Sequence, residues 1–408
     1  MLGFEKSEDL LQGLLVHLAF YQYHLRPQRQ QMLLITQLCV NLVYDLGLDD
    51  LRGFRRGLQK EGPQSGVDIC NRATEARLLL GAYYLAAVYT NKLKKRSIMP
   101  HTKKMTHAAV WLAEQQQYPT DGLIQHLVAT QELSRRIHDT FSYDSLDNAE
   151  PSAEAITFAI VKSFFQEVDR LEKVVPSYYK NNGTLERPHP TPEIGNADTT
   201  KVTLAMEFPA MRAMAQEATL YELFWTTANS SQAISPTRAN LLWESIQSYK
   251  SFVSGLTKYD NDEAFYLTFA TFSKLCSVLA WLAKLVDFAL ESPPDSQDWR
   301  GTAGAATIIS HPCEFMIQAD TELPHLLRLT QHKLNAMAKG IVNRSSEPDC
   351  MTTFSILVGS VLSGFDKRMG QVNGSLNGSC AAAPVTAEGV IPDFHVGQSV
   401  SPAQAPLP

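Results

Sequence analysis

The sequence predicts an all-α fold, an irregular multi-helix regulatory domain followed by a disordered C-terminal tail. Three observations predict it. Apolar residues recur at helical spacing in segment after segment between residues 10 and 365. Prolines and glycines fall between those segments, where helices need to stop. No run alternates apolar and polar side chains long enough for a strand, and no fixed period repeats as in a solenoid or propeller. With 408 residues, 44% of them hydrophobic, the chain can bury a substantial core.

Residues 10–25 are apolar nearly all round, as in a helix covered on several sides, and Arg26-Pro27 stops it. Residues 28–46 bring Ile35, Leu38, Cys39, Leu42, Val43 and Leu46 to one face, with Gly47 where a left-handed residue closes a helix. These two helices are expected to form an antiparallel hairpin. A loop over residues 49–66 leads to a third helix from about Thr74, whose inward stripe is Ala76, Leu80, Tyr83, Tyr84, Ala87 and Val88. After the Ile98-Met99-Pro100 break, a helix from about Thr102 buries Met105, Ala108, Ala109 and Leu112. Tyr118-Pro119-Thr120-Asp121 supplies a stop and a helix start, with Ile124, Leu127, Val128, Ile137 and Phe141 as core positions beyond it.

From Pro151, Phe158, Val161, Phe165, Val168 and Leu171 repeat at helical spacing until Pro176. Residues 177–200 read as a long exposed loop. Helical pattern returns at residues 202–225, and again from Pro236 through Leu242, Ile246, Tyr249 and Val253. A long apolar helix over residues 262–290 ends at Ser292-Pro293-Pro294, and further helices are expected at residues 305–316, 323–342 and 351–365. From Asp366 the chain is rich in Gly, Ser, Ala and Pro, the composition of a disordered tail.

Lys plus Arg number 36 against 42 for Asp plus Glu, a formal charge of −6, so no broad basic field exists to displace counterions from DNA phosphates. Cys39, Cys70, Cys276, Cys313, Cys350 and Cys380 are scattered, with no C-x-x-C pair to seed a zinc site; reduced, partly buried thiols in a reducing compartment fit better. Glu5, Glu8 and Asp9 precede the first apolar run, unlike the positive start of a secretory signal, so the five Asn-x-Ser/Thr triplets read as chance matches. Residues 264–283 are long enough to span a membrane, but Lys274 sits in the middle, and Lys284 and Asp287 continue the helix; a central buried helix is expected, and no membrane partner.

Three ordered blocks carry a family resemblance. The first is Leu11-Gln12-Gly13-Leu14-Leu15 with Phe20-Tyr21-Gln22-Tyr23-His24-Leu25, Gln37-Leu38-Cys39-Val40 and Asp45-Leu46-Gly47-Leu48. The second runs from Glu75-Ala76-Arg77 through Tyr83-Tyr84-Leu85 to the turn over residues 96–105, and the third is Tyr118-Pro119-Thr120-Asp121 with Leu127-Val128. Together they resemble the middle homology domain of fungal zinc-cluster transcription factors, especially regulators of secondary-metabolite gene clusters. The resemblance is strongest over residues 10–141 and extends in texture to residue 365. It implies a nuclear regulatory domain over residues 1–365, with the tail over residues 366–408. In that family the domain follows a six-cysteine binuclear zinc module and a short coiled coil, and neither precedes Leu10 here. The expectation is therefore no cofactor, with zinc only in a missing N-terminal module, and promoter DNA reached only through such a module or a partner. Transcriptional machinery or regulatory proteins, a small-molecule effector and a second copy in a homodimer are the other expected partners.

The basic stretch Lys92, Lys94, Lys95, Arg96, Lys103 and Lys104 reads as a nuclear-import signal or phosphate-facing patch, against the plainer reading of a solvated helix end. His17 with His24, and His325 with His332, share helix faces but lack further ligands for a metal. His311-Pro312-Cys313 lacks the surroundings of a Cys-His catalytic pair. Asp49-Asp50 lacks the next acidic residue of a terpene-cyclase magnesium site, and near Asn261-Asp262 Phe265 stands where the second such motif needs serine. No nucleotide-binding, hydrolase-elbow or zinc-protease motif is present, and a non-enzyme is expected. Tyr83, Tyr84, Trp225, Trp243, Phe265, Phe269, Phe272 and Trp281 read as core, with an apolar effector pocket as the functional alternative. The competing functions are an all-helical enzyme acting on an apolar metabolite and a protein-binding scaffold.

Overall fold

The computed structural model describes residues 6–23, 31–50, 66–118, 120–176, 179, 199–225, 235–257, 267–291, 322–340 and 350–376. Among the described residues are eleven α-helices and no strand. The chain divides into two units, Met1–Met369 and Gly370–Pro408; of the second, only the last turns of the final helix are described.

Helix α1 (Glu8–Ala19) starts where the Ser7 hydroxyl accepts the Leu10 amide, with Glu8 and Asp9 favourably placed at its positive end. It ends eight residues before Pro27, the stop that the sequence suggests. The next residues turn into a short 3-10 segment, Tyr21–Tyr23, because their side chains are recruited elsewhere: the Tyr21 hydroxyl accepts the Gln31 amide, and Gln22 donates to the Leu267 carbonyl. Helix α2 (Met32–Asp45) packs on α1 and gives way at Gly47, whose φ of +70° is the left-handed conformation expected there.

Helix α3 (Gly66–Lys92) begins eight residues before the predicted Thr74, since nothing between Gly66 and Ala73 breaks a helix. It is the hub, packing against α1, α2, α4 (Lys103–Gln115), α5 (Asp121–Thr140) and α9 (Phe269–Glu291). Leu79, Leu80, Ala82, Tyr83, Ala86, Val88 and Tyr89 are all buried, so its middle is covered on every side. In α4 the Thr102 hydroxyl caps the Met105 amide, and the four predicted positions, Met105, Ala108, Ala109 and Leu112, are the buried ones.

Helix α6 (Glu154–Val174) leads through residues outside the description to α7 (Thr199–Gln216). There the sequence pattern suggests a helix to Trp225, but α7 ends at Gln216 and two 3-10 turns follow, Glu217–Leu220 and Glu222–Phe224. Side chains from elsewhere capture their carbonyls: Arg238 donates to Thr219 and the Trp225 indole to Ala218. Helix α8 (Pro236–Thr257) buries all four predicted positions, Leu242, Ile246, Tyr249 and Val253. Helices α10 (Glu322–Gly340) and α11 (Cys350–Leu376) follow α9. α11 runs eleven residues past the predicted end at Phe365, to Leu376, and an Arg328–Asp366 ion pair ties the first residue of that extension to α10. The helix expected at residues 305–316 and the rest of the tail lie outside the described residues. No described helix is long and apolar enough to cross a membrane.

The buried side chains form two apolar clusters. The larger joins α1 to α4 with α8 to α11, and the smaller gathers α5, α6, α7 and the turns after it. Helix α7 faces both, giving Met206, Ala210 and Ala213 to the larger and Leu204, Phe208 and Met211 to the smaller.

Candidate functional site

Along this seam lies the charged centre of the molecule. Glu207 of α7 and Lys274 of α9 form an ion pair, with side chains 1% and 3% exposed. The Tyr84 hydroxyl of α3 donates to Glu207 Oε1 at 2.8 Å, Lys274 Nζ donates to that hydroxyl at 3.3 Å, and Gln131 of α5 donates to Glu207 Oε2 at 3.5 Å. Four helices therefore share one carboxylate. Two residues on, Pro209 sits inside α7, where its ring cannot donate the usual backbone bond to Ala205. The long apolar helix expected over residues 262–290 is the buried helix α9, and Lys274 is the residue that binds it to its neighbours.

A second carboxylate, Glu217, stands at the start of the 3-10 turn. Lys94 Nζ donates to it and to the Tyr221 hydroxyl, and Lys284 Nζ donates to the same hydroxyl at 2.9 Å. Burial works to raise the Glu217 carboxyl, but Lys94, Lys284 and Tyr221 together hold it below the usual range. Lys94 has burial against it too, and the same partners raise it. Its backbone, at φ +52°, is in the left-handed region, so the chain turns sharply as it leaves α3.

Between these carboxylates is a cavity of about 110 Å³, walled by the end of α3, by α7, α8 and α9, and by Tyr143 after α5. Lys92, Lys94, Lys274 and Lys284 all line it. Four ammonium groups thus meet two carboxylates in a chain that is net negative. Across it Tyr249 and Trp281 stack, ring centroids 4.2 Å apart. Of the aromatic positions proposed for an apolar pocket, only Trp281 is among the cavity's lining residues. Tyr83, Phe269 and Phe272 are core, Tyr84 bonds to Glu207, Trp225 caps its turn, Trp243 is partly exposed and Phe265 is outside the described residues. The cavity mixes these lysines with apolar side chains such as Met214 and Val278.

Lys92 is the least supported of the four: it has no carboxylate within ion-pairing distance among the described residues. Burial first, then the charge of Lys274, lowers it to about 8, while Glu207 and Glu217 pull the other way. A lysine lowered in the fold costs stability wherever both forms are protonated, below pH about 8, and that cost disappears as pH climbs toward its ordinary value of 10.5. Lys92→Met is therefore expected to stabilise the protein at pH 7 by roughly 1 to 3 kcal/mol, after discounting for partial exposure. The gain should shrink toward zero near pH 10.5. Buried Tyr84, Tyr143 and Tyr249, raised well above 10 chiefly by burial, act oppositely and lose their contribution above pH about 10, but equally in both proteins. Urea unfolding of the two proteins at pH 7 and pH 10 checks the sign; a destabilised variant at pH 7 would contradict it.

The structure divides the six residues of the basic stretch. Lys92 and Lys94 face the cavity, Arg96 pairs with Asp144 at 2.9 Å, Lys95 and Lys103 are exposed, and Lys104 is half-buried with a partner of its own. Of the weighed histidines and cysteines, His24 and the His311-Pro312-Cys313 run lie outside the described residues. Among the described residues no three His, Cys, Asp or Glu side chains converge to hold a metal. The thiols of Cys39 and Cys276 are pushed up to about 12 by burial, which leaves them protonated and unreactive. Cys70 is exposed.

Sequence reading missed Glu207, Glu217, Tyr221 and Asn91. A signal existed: Lys274 and Glu207 are lone opposite charges inside two apolar helices, and such charges are buried only when they meet.

The blocks of the family resemblance also meet in space. Arg77 Nε and Nη2 bind the two oxygens of Asp121 at 2.8 Å each, Asp121 Oδ2 accepts the Tyr118 amide at 2.9 Å, and the guanidinium lies 4.5 Å from the Tyr118 ring centre. Asp121, not the hydroxyl of Thr120, organises the start of α5.

Fold and site together define an all-helical protein with a buried ionic seam and a small lysine-lined cavity beside it. The chain is similar to two fungal proteins named as transcription factors. It is 33% identical over 134 residues to transcription factor himD of Aspergillus japonicus, a match covering 32% of this chain and 22% of that protein. It is 27% identical over 188 residues to transcription factor opdL of Penicillium oxalicum, covering 44% of this chain and 33% of that protein. The matches thus span a third or less of the relatives' own length, and they support a fungal transcription factor family. No family profile matches the chain, and no solved structure does.

Proposed function

We propose that this chain is a fungal regulator of transcription whose helical domain transmits control through protein contacts in the nucleus. The observation that carries the proposal is its similarity to the two fungal proteins named as transcription factors. The zinc-cluster resemblance adds the finer reading: promoter choice through a zinc module or a partner protein, and a secondary-metabolite gene cluster as target. The relatives' names also support a role without catalysis. Exposed Lys95, Arg96 and Lys103 are the side chains available for nuclear import.

The mechanism is a population shift. Four helices meet at Glu207, so a change in that contact biases how the two apolar clusters sit against each other. The test is deletion and restoration of the gene with transcripts of its neighbours measured. Expression should change on deletion and return on restoration. Unchanged transcripts in both strains would sink the proposal.

A further inference from the structure

Two buried hydrogen-bond donors on the cavity wall have no acceptor among the described residues. Asn91 and Trp281, 7% and 3% exposed, both line it, and Asn91 Nδ2 and Trp281 Nε1 are buried with no partner among the described residues. The half-buried side chain of Lys92, next to Asn91, lines the same cavity and has no carboxylate within ion-pairing distance among the described residues. Buried polar groups in folded proteins are almost always satisfied, so two orphaned donors sharing one cavity call for an acceptor beyond the described residues. The surrounding charges narrow its nature: four lysines against Glu207 and Glu217 leave a surplus of two positive charges. The one carboxylate lining the cavity, Glu217, is already held by Lys94 and Tyr221. Water can satisfy the donors but cannot neutralise that surplus. An anion does both.

Part of the lining is apolar. Ala210, Met214 and Val278 form it, beside the Tyr249 and Trp281 stack. The space, about 110 Å³, takes on the order of eight waters or an organic molecule of similar bulk.

We infer that this cavity is a binding site for a small organic acid, its carboxylate held by Lys92, Asn91 and the Trp281 indole and its carbon body against Met214 and Val278. The occupant puts a lid on no reaction; it neutralises Lys92 and ties the end of α3 to α9. That it thereby controls transcription rests on the regulatory proposal above, whereas the binding itself does not.

The test is calorimetric titration of the purified full chain with benzoate, succinate, inorganic phosphate and neutral benzamide. At least one of the two organic acids should bind saturably, with a Kd of about 1 mM or tighter. Benzamide and phosphate should bind at least tenfold more weakly. Lys92→Met should weaken the acid at least tenfold while its unfolding midpoint stays at or above that of the wild type, which separates a lost site from a lost fold. Trp281→Phe, which keeps the ring but removes the donor, should weaken it several-fold. Absence of acid binding, binding of phosphate alone, or equal binding by the Lys92→Met variant each overturns the inference. Acid binding with unaltered transcripts on gene deletion would overturn only the regulatory role.

Discussion

Lys274→Met is expected to lose about 3 to 5 kcal/mol of stability, the cost of leaving a buried charge uncompensated. The variant keeps most of the side chain's volume, so the loss reports charge and not a cavity. Glu207 would remain 1% exposed, with Tyr84 and Gln131 as donors but no counter-ion in contact. Lys92, which feels both charges, would regain basicity once Lys274 is gone and offset part of the loss. Replacing both partners, Glu207→Met with Lys274→Met, should recover most of it, because a well-packed apolar pair avoids desolvating two charges. Urea unfolding at pH 7 of the wild type, each single variant and the double closes the cycle. Singles that cost under 1 kcal/mol would mean the ion pair does not hold the seam together.

Arg77→Met is expected to cost about 3 kcal/mol, nearly as much, for a related reason. The Asp121 side chain is 2% exposed and takes both forks of the guanidinium, so truncation strands a buried carboxylate beside the Tyr118 amide. Arg77→Lys should restore less than half of the loss, since a point charge cannot match the fork or lie flat over the Tyr118 ring. Chemical denaturation measures the total. Hydrogen exchange locates it: amides at the start of α5 should lose protection in Arg77→Met while those of α8 keep theirs. Equal protection in both helices would show that Arg77 contributes nothing local.

Much of the helical frame was legible because it depends on neighbours in sequence. The stripe of α8, the four buried positions of α4 and the left-handed Gly47 each follow from spacing or from one residue's backbone freedom. Helix ends were less legible. α1 stops early where the Tyr21 and Gln22 side chains bond to backbone elsewhere, and α7 where Arg238 takes the Thr219 carbonyl; nothing within a local window records those partners. The cavity's lining was not legible for a similar reason. A Tyr or Trp at helical spacing says that a position is buried, but not whether it faces another ring or a space between helices.

The charged seam and the anchoring of the third resemblance block were decided by tertiary structure. Glu207 and Lys274 are 67 residues apart, and Arg77 and Asp121 are 44 apart. By itself the sequence determined that the chain is helical, where most helices lie and which faces turn inward, since periodicity and breakers act over one or two turns. Only the folded arrangement decided that four lysines converge near two carboxylates and that two buried donors lack acceptors among the described residues, because electrostatic partners are chosen by proximity in space.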